Sequence, residues 1–236
     1  RANGVPLIDY AGVKPYRGVL TGFNEAFLID TRTKERLVRD DSRAAEIIKP
    51  YLRGQDIDRW VPEWAGRWMI VMRTSADHPW PWATAATEAE AEAIFAEEHP
   101  GLHQHFKKFE SFIDPKTNKP AGLRHREDRG RFWWELRPCA YYGAFEQPKI
   151  VFTEITWSPS FAIDRDNLFI NNTAYVLTTN DPSIVANLNS PVAWWYGWRK
   201  AVHGKDEALR FIASYIEPFP LAAITGDAAR RTGELV

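Results

Sequence analysis

A nine-residue stretch, residues 129–137, combines side chains that could contact a polyanion. It contains three arginines, one carboxylate at Glu135 and the adjacent pair Trp133-Trp134. A guanidinium group pairs with a phosphate or with the edge of a guanine, and its flat face stacks on an aromatic ring. The stretch therefore indicates recognition of a polyanion with flat bases. A core strand anchored by tryptophan, with a solvated basic flank, explains the same residues, and the sequence leaves both interpretations open.

Further basic residues surround this stretch. Between residues 105 and 150 the chain has ten Lys and Arg against six Asp and Glu, although its formal net charge is -1. Such a local excess binds phosphates and makes affinity fall steeply with salt. Base discrimination needs Arg for guanine, Asn or Gln for adenine, and Glu or Asp for the cytosine amino group. The candidate DNA-binding residues are Lys107, Lys108, Lys116, Lys119, Arg124, Arg126, Arg129, Arg131, Glu135, Arg137, Glu154, Asn171 and Asn172.

Some of these candidates have the chemistry to discriminate between bases. They are Arg131, Glu135, Arg137, Glu154, Asn171 and Asn172. Each of them, taken alone, is explained more simply as a surface ion pair or a turn residue. The pair Asn171-Asn172 lies between two apolar runs, which is typical of a hairpin turn.

Catalytic and metal-binding patterns are largely missing. His99, His103 and His105 lie near Glu97, but Pro100 interrupts the turn and no H-E-x-x-H motif occurs, so a chance surface cluster is the simpler interpretation. The sequence also lacks G-x-G-x-x-G, Walker, G-x-S-x-G, E-x-K and N-P-P-Y motifs. We therefore predict no metal site and no self-contained active site. A stand-alone enzyme built on the three histidines is the least favoured alternative.

The composition is that of a globular protein with a sizeable core, since 44% of the residues are hydrophobic and 26% are charged. The single cysteine, Cys139, excludes an intrachain disulfide and is typical of a reducing compartment. No apolar run approaches the ~20 residues that span a bilayer, so we expect no membrane partner. Eleven tryptophans are unusually many. They leave open an alternative from another class, a Trp-rich carbohydrate- or peptide-binding module.

The elements that must position these residues follow from periodicity and from turn residues. Thr87 and Glu90 form a capping box, and Pro100 is typical of a first helical position. Predicted helices follow at residues 43–49, from 87, from 100, at 182–188 and at 191–202. Predicted strands are the two of a strand–turn–strand unit at 18–30, a short one at 37–38, and those at 67–72, from 132, at 150–155, 161–163, 174–177 and 209–215. Residues 114–130 are predicted to be a long polar loop. The fold class that results is α+β, sheet-rich, with central and C-terminal helices.

The order of several motif blocks closely resembles a known family. The blocks are YRGVLTGFNEAFLID (residues 16–30), AAEIIKPYLRGQDIDRW (44–60), RGRFWWELRP (129–138), YYGAFEQPKIVFTEI (141–155), NNTAYVL (171–177) and LNSP (188–191). They resemble the TaqI-like C-terminal specificity domain over residues 5–224. This is the target-recognition region of type IIG restriction–modification enzymes and of related adenine-specific DNA methyltransferases, including those of phage-defence systems.

The resemblance implies a parent enzyme that flips an adenine out of duplex DNA and methylates its N6 from S-adenosylmethionine. The chain begins at Arg1, and we interpret it as a piece of a longer protein with an N-terminal methyltransferase domain and, in some relatives, a nuclease. The fragment itself is expected to bind DNA without a cofactor and without catalysis. The expected location is the bacterial or archaeal cytoplasm, in association with the nucleoid.

The resemblance also implies a division between scaffold and reading surface. The residues that match the shared blocks, and that we expect to be structural, are Thr21, Gly22, Asn24, Glu25, Arg53, Gly54 and Asp56. Specificity is expected in the loop 114–131 and in the turns at 156–160 and 165–172. We interpret residues 1–225 as the recognition domain and residues 226–236 as a tail or linker.

Overall fold

Short helices and short strands follow one another along the chain. The computed structural model describes residues 4–222 and residue 231. In this part of the chain the α-helices are α1 (Leu7–Ala11), α2 (Asn24–Phe27), α3 (Thr31–Asp40), α4 (Ala44–Ile47), α5 (Glu88–Glu98), α6 (Pro100–Lys107), α7 (Pro182–Leu188), α8 (Pro191–Lys200) and α9 (Ala213–Ile216). Single 3-10 turns lie at Gly54–Asp56, Leu123–His125, Tyr142–Ala144 and Lys205–Glu207.

The strands are distributed along the whole described chain. They are β1 (Val5–Pro6), β2 (Tyr16–Arg17), β3 (Leu28–Asp30), β4 (Ile48–Leu52), β5 (Arg67–Ile70), β6 (Phe112–Ile113), β7 (Pro120–Ala121), β8 (Lys149–Thr153), β9 (Ile155–Thr156), β10 (Phe161–Asp164), β11 (Phe169–Ile170), β12 (Ala174–Leu177), β13 (Val202–His203), β14 (Leu209–Arg210) and β15 (Pro220–Leu221). The mixture of helices and sheets confirms the predicted α+β class.

Several helices begin where the sequence predicts. The hydroxyl of Thr87 accepts a hydrogen bond from the Glu90 amide (3.2 Å), and the Glu90 carboxylate accepts one from the Ala86 amide (2.9 Å). Helices α6, α7 and α8 each carry proline in the first turn, where the missing N–H has no partner to lose. Side chains of Asp181 and Ser190 cap α7 and α8. Local capping chemistry was therefore sufficient for these predictions.

Several local predictions are wrong. The strand–turn–strand unit predicted at 18–30 contains helix α2 (Asn24–Phe27), and only its last three residues form a strand, β3. Residues 31–40 form helix α3 instead of a polar turn and a short strand, because Asp30 caps the Thr33 amide (2.8 Å) and Lys, Arg and Glu favour a helix. The predicted helix at 43–49 stops at Ile47, because β4 pairs with β5. The predicted strand at 209–215 ends at Arg210 and is followed by α9.

One compact unit, unit 1, comprises the residues up to Val19, the segment Leu52–Ala65 and the residues from Tyr141 onward. Its main sheet has the antiparallel order β10-β8-β12-β2, and Phe152 of β8 lies opposite both Phe161 and Tyr175. A second sheet has the order β13-β14-β9, and β1 pairs with β15. Buried side chains from both sheets and from α7 and α8 form one apolar core.

The other compact unit, unit 2, comprises Leu20–Tyr51 and Gly66–Ala140. Within it, β4, β5 and β3 pair antiparallel, and so do β6 and β7. Its interior is rich in aromatic rings. The Trp134 ring stacks between Phe95 and Phe132, with 5.1 Å between centroids on each side, and Trp82 meets it edge-on. Offset and edge-to-face ring pairs of this kind add to the stabilisation from burial.

The helices of the described chain include none that is long and apolar enough to cross a membrane. The predicted tail, residues 226–236, lies outside the described residues apart from residue 231. The predicted boundary at residue 225 lies outside them as well, so the proposed domain limits stay predictions.

Candidate nucleic-acid interface

The Trp-Trp segment of unit 2 is a buried turn, not the predicted strand. Residues 132–136 are all buried. The Glu135 carboxylate accepts hydrogen bonds from the Trp82 indole (2.9 Å), the Thr74 hydroxyl (3.1 Å) and the Phe132 amide (3.2 Å). These three donors occupy the carboxylate inside the unit. Glu135 therefore holds the turn closed and presents no acceptor at the surface.

Arg126, another candidate, is also an interior residue. Its guanidinium donates to the carbonyls of Thr21 (2.6 Å), Trp133 (2.8 Å) and Glu135 (2.8 Å) and lies over the Phe27 ring. Burial lowers the pKa of Arg126 to about 10, so the group stays charged at neutral pH. A charged donor shared by three carbonyls fixes the turn that contains both tryptophans.

Glu92, on α5, accepts hydrogen bonds from four side chains in or next to the basic zone, which is the segment 105–150 with its excess of Lys and Arg. Its carboxylate accepts from Lys107 (2.8 Å), His103 (3.1 Å), the Trp133 indole (3.2 Å) and Arg124 (3.5 Å). Burial raises the pKa of Glu92, but the bonds from Lys107, His103 and Trp133 outweigh it and bring the pKa to about 2. Two of the candidate cations are therefore neutralised within unit 2.

The same two cations have further acidic partners. Lys107 also pairs with Glu110 (2.6 Å), and Arg124 pairs with Glu110 (2.6 Å) and Glu88 (2.5 Å). Their positive charge is balanced by three carboxylates along α5 and the turn after α6. A phosphate would have to compete with these carboxylates, which makes Lys107 and Arg124 weak candidates for contact.

Arg131 and Arg137 are both exposed but differ in their partners. Arg131 donates to the carbonyls of Ala83 (2.6 Å) and Ala85 (3.0 Å), and its guanidinium lies 5.0 Å from the centre of the Phe132 ring. Arg137 pairs with Asp128 (3.2 Å), and both side chains are largely solvated. An exposed pair of this kind contributes little to stability and opens readily, so Arg137 is available to a ligand.

Four candidates of unit 2 are exposed cations without a charged partner among the described residues. They are Lys108, Lys116, Lys119 and Arg129. Lys116 and Lys119 lie in the turn between β6 and β7. The Asp114 side chain accepts from the amide of Lys116 (2.8 Å) and shapes this turn. The predicted loop 114–130 thus includes one strand of a short β-ribbon, with exposed lysines in the turn that precedes it, and exposed lysines can contact phosphates.

Glu154 belongs to unit 1 and follows directly on β8. Its buried carboxylate accepts from Arg17 at one oxygen (2.7 Å) and from Arg210 at the other (2.7 and 2.6 Å). Both oxygens are occupied, so Glu154 does not offer a free acceptor to a cytosine amino group. Both arginines are about half exposed.

Asn171 and Asn172 form a turn in unit 1, as the simpler interpretation expects. The Asn171 side chain is buried and accepts from the Thr173 hydroxyl (2.6 Å), while its carbonyl accepts from the Ala174 amide (3.1 Å). The carbonyl of Asn172 accepts from Nε of Arg17 (2.8 Å). Both residues therefore shape the backbone beside Arg17.

The histidines do not converge on a common point. His99 contacts Asp41 (2.6 Å), His103 contacts Glu92, and His105 contacts the carbonyl of Ala26 (2.8 Å). In residues 4–222 and 231, no group of three or more His, Cys, Asp and Glu side chains is arranged to hold a metal ion.

The tryptophans divide between core and surface. Trp82, Trp133 and Trp134 are fully buried in unit 2 and serve its core. Trp157 and Trp195 of unit 1 are more than half exposed, and Arg199 lies over the Trp195 ring (4.7 Å). The high tryptophan content therefore reflects core packing as much as an exposed platform.

Comparison with known proteins places the chain in a family. The sequence profile of the TaqI-like C-terminal specificity domain matches residues 49–221. The chain belongs to this family. The matched range is narrower than the resemblance over residues 5–224 and begins after the YRGVLTGFNEAFLID block. The curated proteins include no significant match.

The specificity domain is also similar in fold to a solved structure, described as a Type IIL restriction-modification enzyme, MmeI, in complex with DNA. The TM-score is 0.50 at 14% sequence identity, and the similarity covers 92% of this chain and 26% of the MmeI chain. At that identity the likeness concerns the fold alone. The chain spans about a quarter of the length of MmeI.

Residues of the shared blocks have structural partners in the specificity domain. Arg53 donates to both carboxylate oxygens of Asp56 (2.8 and 2.7 Å) across the 3-10 turn Gly54–Asp56. The buried Thr21 hydroxyl donates to the Asn24 side chain (2.6 Å). Gly22 has φ of 65°, a left-handed conformation that favours glycine. These contacts agree with a scaffold role, and Glu25 is an exposed residue in the first turn of α2.

Sequence reasoning missed Arg17 and Arg210. Arg17 lies 137 residues from Glu154 along the chain and Arg210 lies 56 residues away, so no local spacing relates the three. A general signal existed only for Glu154, which interrupts a run of apolar residues. A carboxylate in such a run, when buried, needs charged or hydrogen-bonding partners.

Proposed function

We propose that this specificity domain recognises a duplex DNA sequence as part of a restriction–modification enzyme that methylates adenine at N6. The observation that carries the proposal is family membership over residues 49–221. The DNA complex named for MmeI supports it as well. The domain contributes recognition and no catalysis of its own.

The parent enzyme then supplies what this chain does not carry. An N-terminal methyltransferase domain would bind S-adenosylmethionine and receive the flipped adenine, because a base inside the duplex is out of reach of the methyl donor. We further propose a type IIG arrangement, in which a nuclease can share the polypeptide, and a role in phage defence. The corresponding location is the bacterial or archaeal cytoplasm, at the nucleoid.

The predicted contact residues divide into two groups in this proposal. Exposed cations would bind phosphates and set the register on the duplex: Lys108, Lys116, Lys119, Arg129 and Arg137. The remaining candidates have a structural role, through the hydrogen bonds and ion pairs described above within their own units: Lys107, Arg124, Arg126, Arg131, Glu135, Glu154, Asn171 and Asn172. The sugar-binding alternative rests on exposed tryptophans, which in the described part of the chain are Trp64, Trp157, Trp195 and Trp198.

A salt titration tests the proposal. We expect the 236-residue chain to bind random-sequence duplex DNA at low salt, with an affinity that falls linearly in a plot of log K against log salt concentration. The double variant K116Q/K119Q should lower the slope by up to about 1.8, since each phosphate contact contributes about 0.9. Fluorescence anisotropy at four salt concentrations measures the slope.

The matched control removes two positive charges elsewhere in unit 2. Arg32 and Arg39 are exposed on α3, and R32Q/R39Q should leave the slope unchanged. If both double variants lowered the slope equally, the salt dependence would reflect the net charge of the chain and not contacts made by Lys116 and Lys119. Failure of the unchanged chain to bind duplex at low salt, or a salt-independent affinity, would refute the proposed function.

A further inference from the structure

Two half-exposed arginines of unit 1 share one buried carboxylate. The Glu154 side chain is 7% exposed, whereas those of Arg17 and Arg210 are 49% and 50% exposed. The cluster carries two positive charges and one negative charge, so it keeps a net positive charge at the surface. A buried carboxylate restricts both guanidinium groups to one orientation, and little conformational entropy remains to be lost when they bind a ligand.

The hydrogen bonds occupy the same edge of each guanidinium group. Arg17 uses Nε toward the Asn172 carbonyl (2.8 Å) and Nη2 toward Glu154 (2.7 Å). Arg210 uses Nε (2.7 Å) and Nη2 (2.6 Å) toward Glu154. The opposite edge, formed by Nη1 and the second hydrogen of Nη2, has no recorded partner among the described residues. Two parallel N–H groups at this edge match the O6 and N7 acceptors of guanine in the major groove.

Backbone pairing fixes the positions of all three residues. Arg17 of β2 lies opposite Tyr175 of β12, and Arg210 of β14 lies opposite Ile155 of β9. The amide of Phe211 donates to the Glu154 carbonyl (2.7 Å). Groups held on paired strands keep their spacing better than groups on loops, and base discrimination requires such rigidity.

The neighbours of Arg210 are apolar and exposed. In the sheet β13-β14-β9, Val202, Arg210 and Ile155 lie directly opposite one another on adjacent strands. Val202 is 47% exposed and Ile155 is 53% exposed. Isolated apolar side chains beside an oriented arginine suit a base edge, where they meet a thymine methyl group, better than they suit a phosphate.

We infer that Arg17 and Arg210, oriented by Glu154, read guanine edges in the major groove of the recognised DNA. This inference rests on the proposed function and adds to it the class of base and the residues that read it. Arg17 and Arg210 contact the bases, and Glu154 is a positioning residue. The base-reading residues then belong to unit 1, whereas the exposed cations that bind phosphates belong to unit 2.

Selection from a randomised duplex library tests the inference. The unchanged chain should enrich sequences with fixed guanines, and R17M or R210M should reduce the preference at one guanine by about tenfold or more, because methionine offers no donor to O6 or N7. E154Q should broaden both preferences. The control R59M changes an exposed arginine of the same unit that lies outside the cluster and should leave the selected sequence unchanged.

Base analogues give a second measurement that does not depend on folding of the variants. Replacing a selected guanine by 7-deazaguanine removes N7 and should weaken binding of the unchanged chain but not of the corresponding methionine variant. Inosine, which keeps O6 and N7, should be tolerated by both.

Each result decides between the two proposals. If the chain selects a sequence and both methionine variants keep the same guanines, the inference is overturned and the proposed function stands. If the methionine variants weaken all sequences equally, the arginines bind phosphate and the inference is again overturned. If the unchanged chain binds no duplex at low salt, the proposed function fails, and the inference fails with it.

Discussion

At the scale of single residues, several charged side chains in each unit collect hydrogen bonds from more than one partner. Glu92 of unit 2 gathers donors from two cations, a histidine and an indole. In unit 1, Lys149 and Asp164 form a fully buried ion pair, and Lys149 also donates to the Phe145 carbonyl (2.9 Å). Removing one member of such a cluster leaves its partners without compensation, which costs more than the pair itself contributes.

We expect E92Q to destabilise the chain by about 2 kcal/mol at pH 7, since Lys107 and Arg124 lose a carboxylate whose pKa is about 2. Folding lowers this pKa below its ordinary value of 4.5. The stabilisation is therefore complete above pH 4.5 and is lost as the pH falls toward 2. Urea unfolding of both proteins at pH 7, 4 and 2.5 should show the difference shrink. The control E97Q, an exposed position on the same helix, should stay within about 0.5 kcal/mol at every pH.

We expect K149M to cost about 3–5 kcal/mol, because it leaves the Asp164 carboxylate buried without its cation. Asp164 would keep only the amides of Asp166 and Leu168 as donors (2.8 Å each). The double variant K149M/D164N removes both charges and should recover part of the loss. Thermal and urea unfolding measure both values. A K149M protein as stable as the unchanged chain would show that the pair is dispensable.

At the scale of elements, turns as well as strands hold side chains in fixed positions. The segment 132–136 belongs to no named strand. Arg126 donates to its carbonyls at Trp133 and Glu135, and the Glu135 carboxylate accepts from the Phe132 amide. Beside β2, the backbone of Gly18 runs so close to residue 171 that a Cβ atom at Gly18 would lie 2.1 Å from the Asn171 carbonyl oxygen. Close backbone approach of this kind positions Arg17, the residue that precedes Gly18.

We expect G18A to destabilise the chain by about 2–4 kcal/mol and to weaken the guanine preference attributed to Arg17, because the backbone must move to admit the methyl group. The control is G143A, since a Cβ atom at Gly143 meets nothing within 4 Å. Its unfolding free energy should stay within about 0.5 kcal/mol of the unchanged chain. Equal stability of the two variants would contradict the close approach.

Local chemistry decided which elements could be predicted from the sequence. Helices α5 to α8 were predicted because their caps and prolines act within four residues of the helix start. The Trp-Trp turn was mistaken for a strand, because its closing contacts come from Thr74 and Trp82, more than 50 residues away. Arg17 and Arg210 were missed for the same reason. The basic zone was visible as composition, but only the fold shows that Lys107 and Arg124 are neutralised there.

At the scale of the whole molecule, each unit has its own buried side chains. Composition and the mixture of periodicities were sufficient to predict the α+β class. The division into two units was not predictable, because unit 1 pairs β2 with β12 across roughly two thirds of the described chain. The candidate contact residues accordingly fall into two sets, exposed cations in unit 2 and the arginine pair in unit 1.

The threading of the chain through these units limits how new specificities can arise. The polypeptide crosses from one unit to the other after Val19, Tyr51, Ala65 and Ala140. A recombination breakpoint between residues 20 and 140 would separate β2 from its partner strand, and transplanting unit 2 alone would require four simultaneous junctions. A single crossover within residues 20–140 would therefore combine strands of unit 1 from two different parents, whereas a crossover outside the domain exchanges the domain intact.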